Sequence, residues 1–263
     1  MTHITINAHS IIKQFHEFMK PDSDIRVLRL TGKPKMGKTY LLTKVFPEEL
    51  RQHHQDYCCT VLDGKTQKII DILQRIYLSL ISQNLTLPKY YAAYEEWNNT
   101  KPVVDISKTT LIGAHLNITA NRTDDIWHIA RNLTDKLFID LNQVRDQKLL
   151  LLLDAVDGDS DTQKWLMETF LVQLIDIKHL RFIIAGRSLL EASSSYVAYC
   201  CNYELKEVEE KEEYISYCKR LGLQEEEKII GALAQGSDYI PGQFFETLYT
   251  YLRRQPKSMN GKQ

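Results

Sequence analysis

Gly32-Lys33-Pro34-Lys35-Met36-Gly37-Lys38-Thr39 constrains this chain more than any other stretch. It follows the apolar run Val27-Leu28-Arg29-Leu30, which reads as a short buried strand. It precedes Tyr40-Leu41-Leu42, which opens a helix. The octapeptide fits G-x-x-x-x-G-K-[ST] without a mismatch. Glycines let such a loop turn its backbone N–H groups inward around a polyphosphate. The following helix aims its positive end at the same anion. Gly32 through Tyr40 are therefore the expected nucleotide-binding stretch. Lys38 is expected at the β- and γ-phosphates, and the Thr39 hydroxyl on Mg²⁺.

Lys148–Asp157, KLLLLLDAVD, is the second constraining stretch. Five leucines are too few to cross a membrane and suit a central strand buried on both faces. The carboxyl ends of parallel strands form the ligand crevice of an α/β sheet. Asp154, at that end, is expected to hold Mg²⁺ together with Thr39. A helix-capping role is the alternative. Asp157, three residues on, is a candidate to orient or deprotonate the attacking water. Leu180–Ala185, LRFIIA, reads as another buried strand, with Arg187 just past its end. A guanidinium there can pair with a phosphate oxygen and report the γ-phosphate. A surface ion pair is the competing reading.

The 263 residues allow one large domain or a domain with a smaller appendage. With 43% hydrophobic and 25% charged residues, a core of normal size can form. The net charge of −1 supplies no field favouring nucleic acid or anionic lipid. Five cysteines without a C-x-x-C pattern argue against a structural zinc site and for a reducing compartment, hence the cytoplasm. No signal peptide and no membrane span are expected. His3, His9 and His16 show no metal-ligand spacing and are assigned no role.

The intervening sequence supplies the expected layers. Residues 7–20 place Ile11, Ile12, Phe15 and Met19 on one helical face. Pro47 is expected to break the helix after the loop at about Phe46. Tyr57–Leu62 reads as a strand and residues 66–82 as an amphipathic helix. Tyr90, Tyr91, Tyr94 and Trp97 read as helix packing in preference to a base-stacking or protein-docking surface. Residues 102–119 predict an inserted β-hairpin, residues 124–144 a helix, residues 162–175 another, and Tyr199–Leu205 a further strand. From Glu207 the pattern is helical: Glu209–Arg220, Gln224–Ala234 and Gly242–Arg253. The expected fold class is α/β, a three-layer sandwich with a mostly parallel sheet and a C-terminal helical lid. The expected division is a core at 1–205 and a lid at 206–263.

GKPKMGKT resembles a Walker A motif and LLLLLDAVD a Walker B motif with a second acid three positions on. FIIAGRS resembles a strand-plus-arginine sensor. Asp238-Tyr239-Ile240-Pro241-Gly242 sits where a glycine–proline signature stands in the same proteins. In this order the parts resemble the additional-strand class of P-loop NTPases, and within it the STAND group, which includes NACHT domains, in a form similar to bacterial signalling and defence proteins. The resemblance implies ATP or ADP with Mg²⁺ as cofactors, Pro241 near the nucleotide, slow hydrolysis, and a conformational switch acting through partner or effector proteins, with a homo-oligomer open. Gly158 replaces an acid common in hydrolytic relatives, and no repeat or effector domain follows. GTP in place of ATP, a non-hydrolysing scaffold, and a DNA-associated ATPase are the alternatives, the last disfavoured by the near-neutral charge.

Overall fold

The computed structural model describes residues 9–63, 68–100, 122–154, 156, 160–208, 211–223 and 227–254. Five strands form one sheet: β1 (Val27–Gly32), β2 (Tyr57–Asp63), β3 (Lys148–Asp154), β4 (Leu180–Ala185) and β5 (Cys200–Leu205). Their order is β2-β3-β4-β1-β5, and every pairing is parallel. The register sets Leu28 against Ile183 on one side and Cys201 on the other.

Strand alternation divides the core into two layers of side chains. Leu150, Leu152, Leu28, Leu30, Ile183 and Ala185 face one side. There they pack with α1 (His9–Met19) and with the helical run α2, residues 38–53. Leu149, Leu151, Leu153, Phe182 and Ile184 face the other. That side is covered by α3 (Ile69–Ile81), α4 (Pro88–Thr100), α5 (Arg122–Leu141) and α6, residues 160–174. The leucine run is thus buried on both faces, as its uniform apolarity requires, with Leu149 through Leu153 at most 1% exposed. The result is the expected three-layer α/β sandwich.

Helix α2 does not stop at Pro47. It consists of Lys38–Tyr40, a π-turn Leu41–Val45 and Phe46–His53. Proline lacks an N–H and its ring presses on the carbonyl four residues back. The widened π-turn immediately upstream shifts the hydrogen-bond register, so Pro47 falls in the first turn of the next α-helical segment, directly after Phe46. Helix α6 contains a second π-turn at Leu166–Phe170.

Tyr77, Tyr90 and Tyr94 stack in sequence at 5.0 Å and 6.3 Å, and Tyr90 is fully buried. The aromatic cluster is therefore helix packing between α3 and α4. The hairpin expected at 102–119 lies outside the described residues. No helix among the described residues is long and apolar enough to cross a membrane.

The last three helices, α7 (Lys211–Arg220), α8 (Glu227–Gly236) and α9 (Pro241–Arg254), bury a core of their own. Tyr214, Ile230, Ala234 and Phe244 form its centre. Asp238 and Tyr239, with φ of 49° and 53°, make the left-handed turn between α8 and α9. Tyr214 Oη donates to the Tyr239 carbonyl at 2.5 Å, which ties α7 to that turn. Pro241 then opens α9, the helical position at which a missing N–H costs least.

Candidate functional site

The sheet order fixes where a ligand can sit. β1 lies between β4 and β5, while the chain leaving it crosses to β2 at the far edge. The crevice belongs at the carboxyl ends beside β1, and Gly32–Thr39 occupies that position.

The loop conformation depends on its glycines. Gly32 has φ 148°, and a Cβ there would meet the Leu205 carbonyl oxygen at 2.9 Å. Gly37 has φ 93° and is the residue before α2. Lys35 is also left-handed at φ 64°. Gly37, at the N-cap of α2, offers no side-chain cap to the first turn. Lys38 Nζ lies across the loop, donating to the Gly32 carbonyl at 2.5 Å and the Lys33 carbonyl at 2.8 Å. Met36 is the loop's buried anchor at 6% exposure.

Thr39 and Asp154 meet. The Thr39 hydroxyl donates to Asp154 Oδ2 at 2.6 Å across 115 residues of sequence. Asp154 is buried, so one of its oxygens depends on that hydroxyl. Beyond it the strand ends stay in step: Val156 N–H donates to the Ala185 carbonyl and Gly186 N–H to the Leu30 carbonyl. Buried Gln163 donates to the Val156 carbonyl at 2.8 Å, holding the chain after β3 against α6. Arg187 stands two residues past β4 at this same edge, with an exposed side chain. Asp157 lies outside the described residues.

The C-terminal helices press on the loop from outside. Gly242 N–H donates to the Lys35 carbonyl at 2.9 Å. A Cβ on Gly242 would stand 2.6 Å from that oxygen, a distance that only glycine tolerates. Pro241, expected near the nucleotide, is thus one residue from the loop contact. Two ion pairs flank it: Lys35 to Glu246 at 2.6 Å and Lys33 to Glu207 at 2.5 Å. Hydrogen bonding to Glu207 raises the Lys33 pKa. Tyr40, half exposed at the start of α2, lies near Tyr217 of α7. Burial, with Tyr40 beside it, pushes the Tyr217 hydroxyl up. Glu207 and Glu246 had no sequence signal, since each joins the loop over more than 170 residues.

Comparison with known families now places the chain. The profile of the family described as Nephrocystin 3, N-terminal, matches residues 11–187, more than half of the sequence. The chain belongs to the nephrocystin 3 N-terminal family. The matched span runs from α1 through Arg187, so this nephrocystin 3 N-terminal domain includes the loop, Asp154 and the arginine past β4. No curated protein sequence matches the chain.

Among solved structures, domain III of the replication initiation protein DnaA from Thermotoga maritima aligns over 95% of this chain and 85% of its own. The TM-score is 0.51 at 14% identity. PCH-2 from C. elegans aligns over 94% of this chain and 60% of its own, at a TM-score of 0.45 and 10% identity. The E. coli MS115-1 HORMA:CdnC:Trip13 complex aligns over 88% and 68%, at 0.44 and 12%. The likeness to DnaA domain III is one of fold: a parallel sheet with helices on both faces, followed by further helices.

Proposed function

We propose that this nephrocystin 3 N-terminal domain binds ATP, or GTP, with Mg²⁺ at Gly32–Tyr40 and uses the nucleotide as a conformational switch. The fit rests on the residues present. The loop is held open by positive φ at Gly32, Lys35 and Gly37, and the helix behind it has no side-chain cap. A bound triphosphate would supply the anionic charge that such a nest and helix end attract. Lys38, now on the loop's own carbonyls, would turn to the β- and γ-phosphates. Thr39 and Asp154 would hold the cation. The observation that carries this reading is the 2.6 Å contact between those two side chains from opposite ends of the sequence.

Arg187 is proposed as the γ-phosphate sensor and Asp157 as the group that orients or deprotonates water, giving slow hydrolysis. We divide the chain into a core at 1–205 and a lid at 206–263, with Pro241 on the nucleotide side of the lid. The contact of Gly242 with Lys35 supports coupling between loop and lid. The finer assignment is a STAND-type, NACHT-like switch of signalling or defence that acts through partner or effector proteins. It rests on the Walker-like motifs and the proline turn before α9. The net charge of −1 gives a DNA-associated role no support.

Titration with a fluorescent nucleotide in the presence of Mg²⁺ tests the proposal. Saturable binding that Lys38→Ala abolishes is the expected result. Absence of binding, or binding indifferent to Lys38→Ala, refutes it.

A further inference from the structure

At the far end of α2 from the phosphate loop, three side chains with metal-ligand chemistry converge. Glu49 and His53 are four residues apart and share one helical face. Helix α1 brings His16 against them. Glu49 Oε2 lies 3.0 Å from His16 Nε2 and 3.7 Å from His53 Nε2. One ligand atom from each residue fits within 4.8 Å of the other two.

We propose that His16, Glu49 and His53 bind one divalent transition-metal ion, with zinc the best match to two imidazoles and a carboxylate. Around a tetrahedral zinc with bonds of about 2.0–2.1 Å, ligand atoms stand about 3.3 Å apart. Both carboxylate–imidazole distances already lie close to that value. The remaining edge closes by rotation of His53, whose side chain is 53% exposed. Water completes the coordination on the open side.

The surroundings suit a held ion better than a transient ion pair. His54 Nε2 lies 3.3 Å from His16 Nδ1. With the metal on Nε2, His16 carries its proton on Nδ1 and donates it to His54, which fixes the ring's tautomer and aim. Beneath the cluster, Phe15 and Phe46 stack at 4.6 Å with planes 8° apart. That stack holds the two helices in register, so two of the three ligands sit on a preset frame. Glu49 is only 15% exposed, and its carboxylate faces two imidazoles with His53 also within reach of solvent. Hard, oxygen-preferring cations such as Mg²⁺ match this nitrogen-rich set poorly.

The site is separate from the phosphate loop. Glu49 follows Lys38 by eleven residues, about 16 Å along a helix. The ion would pin α1 to the carboxyl end of α2 and so stiffen the segment that leads into β1.

The test uses the full chain, stripped with chelator and titrated calorimetrically with zinc at neutral pH without nucleotide or Mg²⁺. The expected result is one equivalent bound, weakened about tenfold or more by His53→Ala and by Glu49→Gln. Lys38→Ala keeps full zinc binding, which separates this site from the loop. Cobalt(II) in place of zinc gives the visible absorption of a tetrahedral nitrogen–oxygen site, absent in His53→Ala. Circular dichroism checks that each variant is folded, and His53 is exposed enough for its removal to leave the core intact. No binding by the unaltered chain overturns the proposal. So does binding that survives both His53→Ala and Glu49→Gln.

Discussion

Gly242→Ala sets two effects of opposite sign against each other. Inside a helix alanine is favoured over glycine by about 0.5–1 kcal/mol, so propensity alone predicts a more stable α9. The structure predicts a penalty elsewhere. The new Cβ would stand 2.6 Å from the Lys35 carbonyl oxygen and 2.8 Å from Lys35 Cβ. Ordinary carbon contacts fall at about 3.5–4.0 Å, so α9 must withdraw from the loop by about 1 Å. The Gly242 N–H···O bond to Lys35, now 2.9 Å, then passes out of range. Its loss costs about 1 kcal/mol, and about 1–2 kcal/mol once the leaning contacts are included. That raises the undocked population of the C-terminal helices about five- to thirtyfold. Hydrogen–deuterium exchange reads this directly. The amides of residues 242 and 244 should exchange faster by that factor, while those of Leu149–Leu153 keep their protection. If exchange at 242 and 244 is unchanged or slower, and the unfolding midpoint simply rises, the close approach to Lys35 is not a real constraint and the coupling argument fails.

Gly32→Ala adds a Cβ 2.9 Å from the Leu205 carbonyl oxygen at φ 148°, and should lower stability by about 2 kcal/mol in a denaturant melt. Arg181→Lys tests the buried guanidinium, which is 1% exposed and donates to Tyr57 Oη, the Lys20 carbonyl and the Ile25 carbonyl. A lysine cannot reproduce that fork, so a loss of about 2–3 kcal/mol is expected from the same melt. Burial pushes the Cys59 thiol up to about 12 and the Cys200 thiol up to about 11. Both raised values make the folded state favour the neutral thiol, so their contribution is complete below the ordinary value of 9.0 and fades as pH rises through the folded values. Iodoacetamide followed by peptide mass mapping should leave these two unlabelled in the native protein at neutral pH and label them after unfolding.

What could be read from the sequence was whatever depends on local periodicity. The leucine run announced a strand buried on both faces, and alternate leucines do pack into opposite layers. Ile69, Leu73, Ile76 and Leu80 spaced at threes and fours announced α3. The octapeptide placed itself between β1 and α2, and the acid closing the leucine strand reached it. The misreading at Pro47 has a different origin: a proline's cost depends on the turn before it, and no propensity scale signals a π-turn. The buried arginines were equally opaque. Arg29 and Arg181 interrupt apolar strands, yet both turn inward and bond to main-chain or amide oxygens. His16 showed no spacing because its companions come from another helix, 33 and 37 residues further on. Contacts of that kind exist only after α1 and α2 pack.

The loop's conformation and the docking of α9 are one physical element, because they share a peptide. Lys35 is held at φ 64°, a strained value for a residue with a side chain. Its carbonyl is turned outward to the Gly242 amide, and its ammonium reaches Glu246 one turn further along α9. Four residues on, the Thr39 hydroxyl is committed to Asp154. A group entering the loop must draw Lys38 off the Gly32 and Lys33 carbonyls, which frees those peptides to reorient. Reorientation of residues 33–36 moves the Lys35 carbonyl, and the Gly242 bond cannot follow while Pro241 fixes the start of the helix. Under the proposed function, strain introduced between Gly32 and Thr39 would be relieved at the first turn of α9, and a displacement of α9 would be felt in the same four peptides. Coupling of this kind would need no long pathway through the core, since the Lys35 carbonyl bonds the Gly242 amide directly.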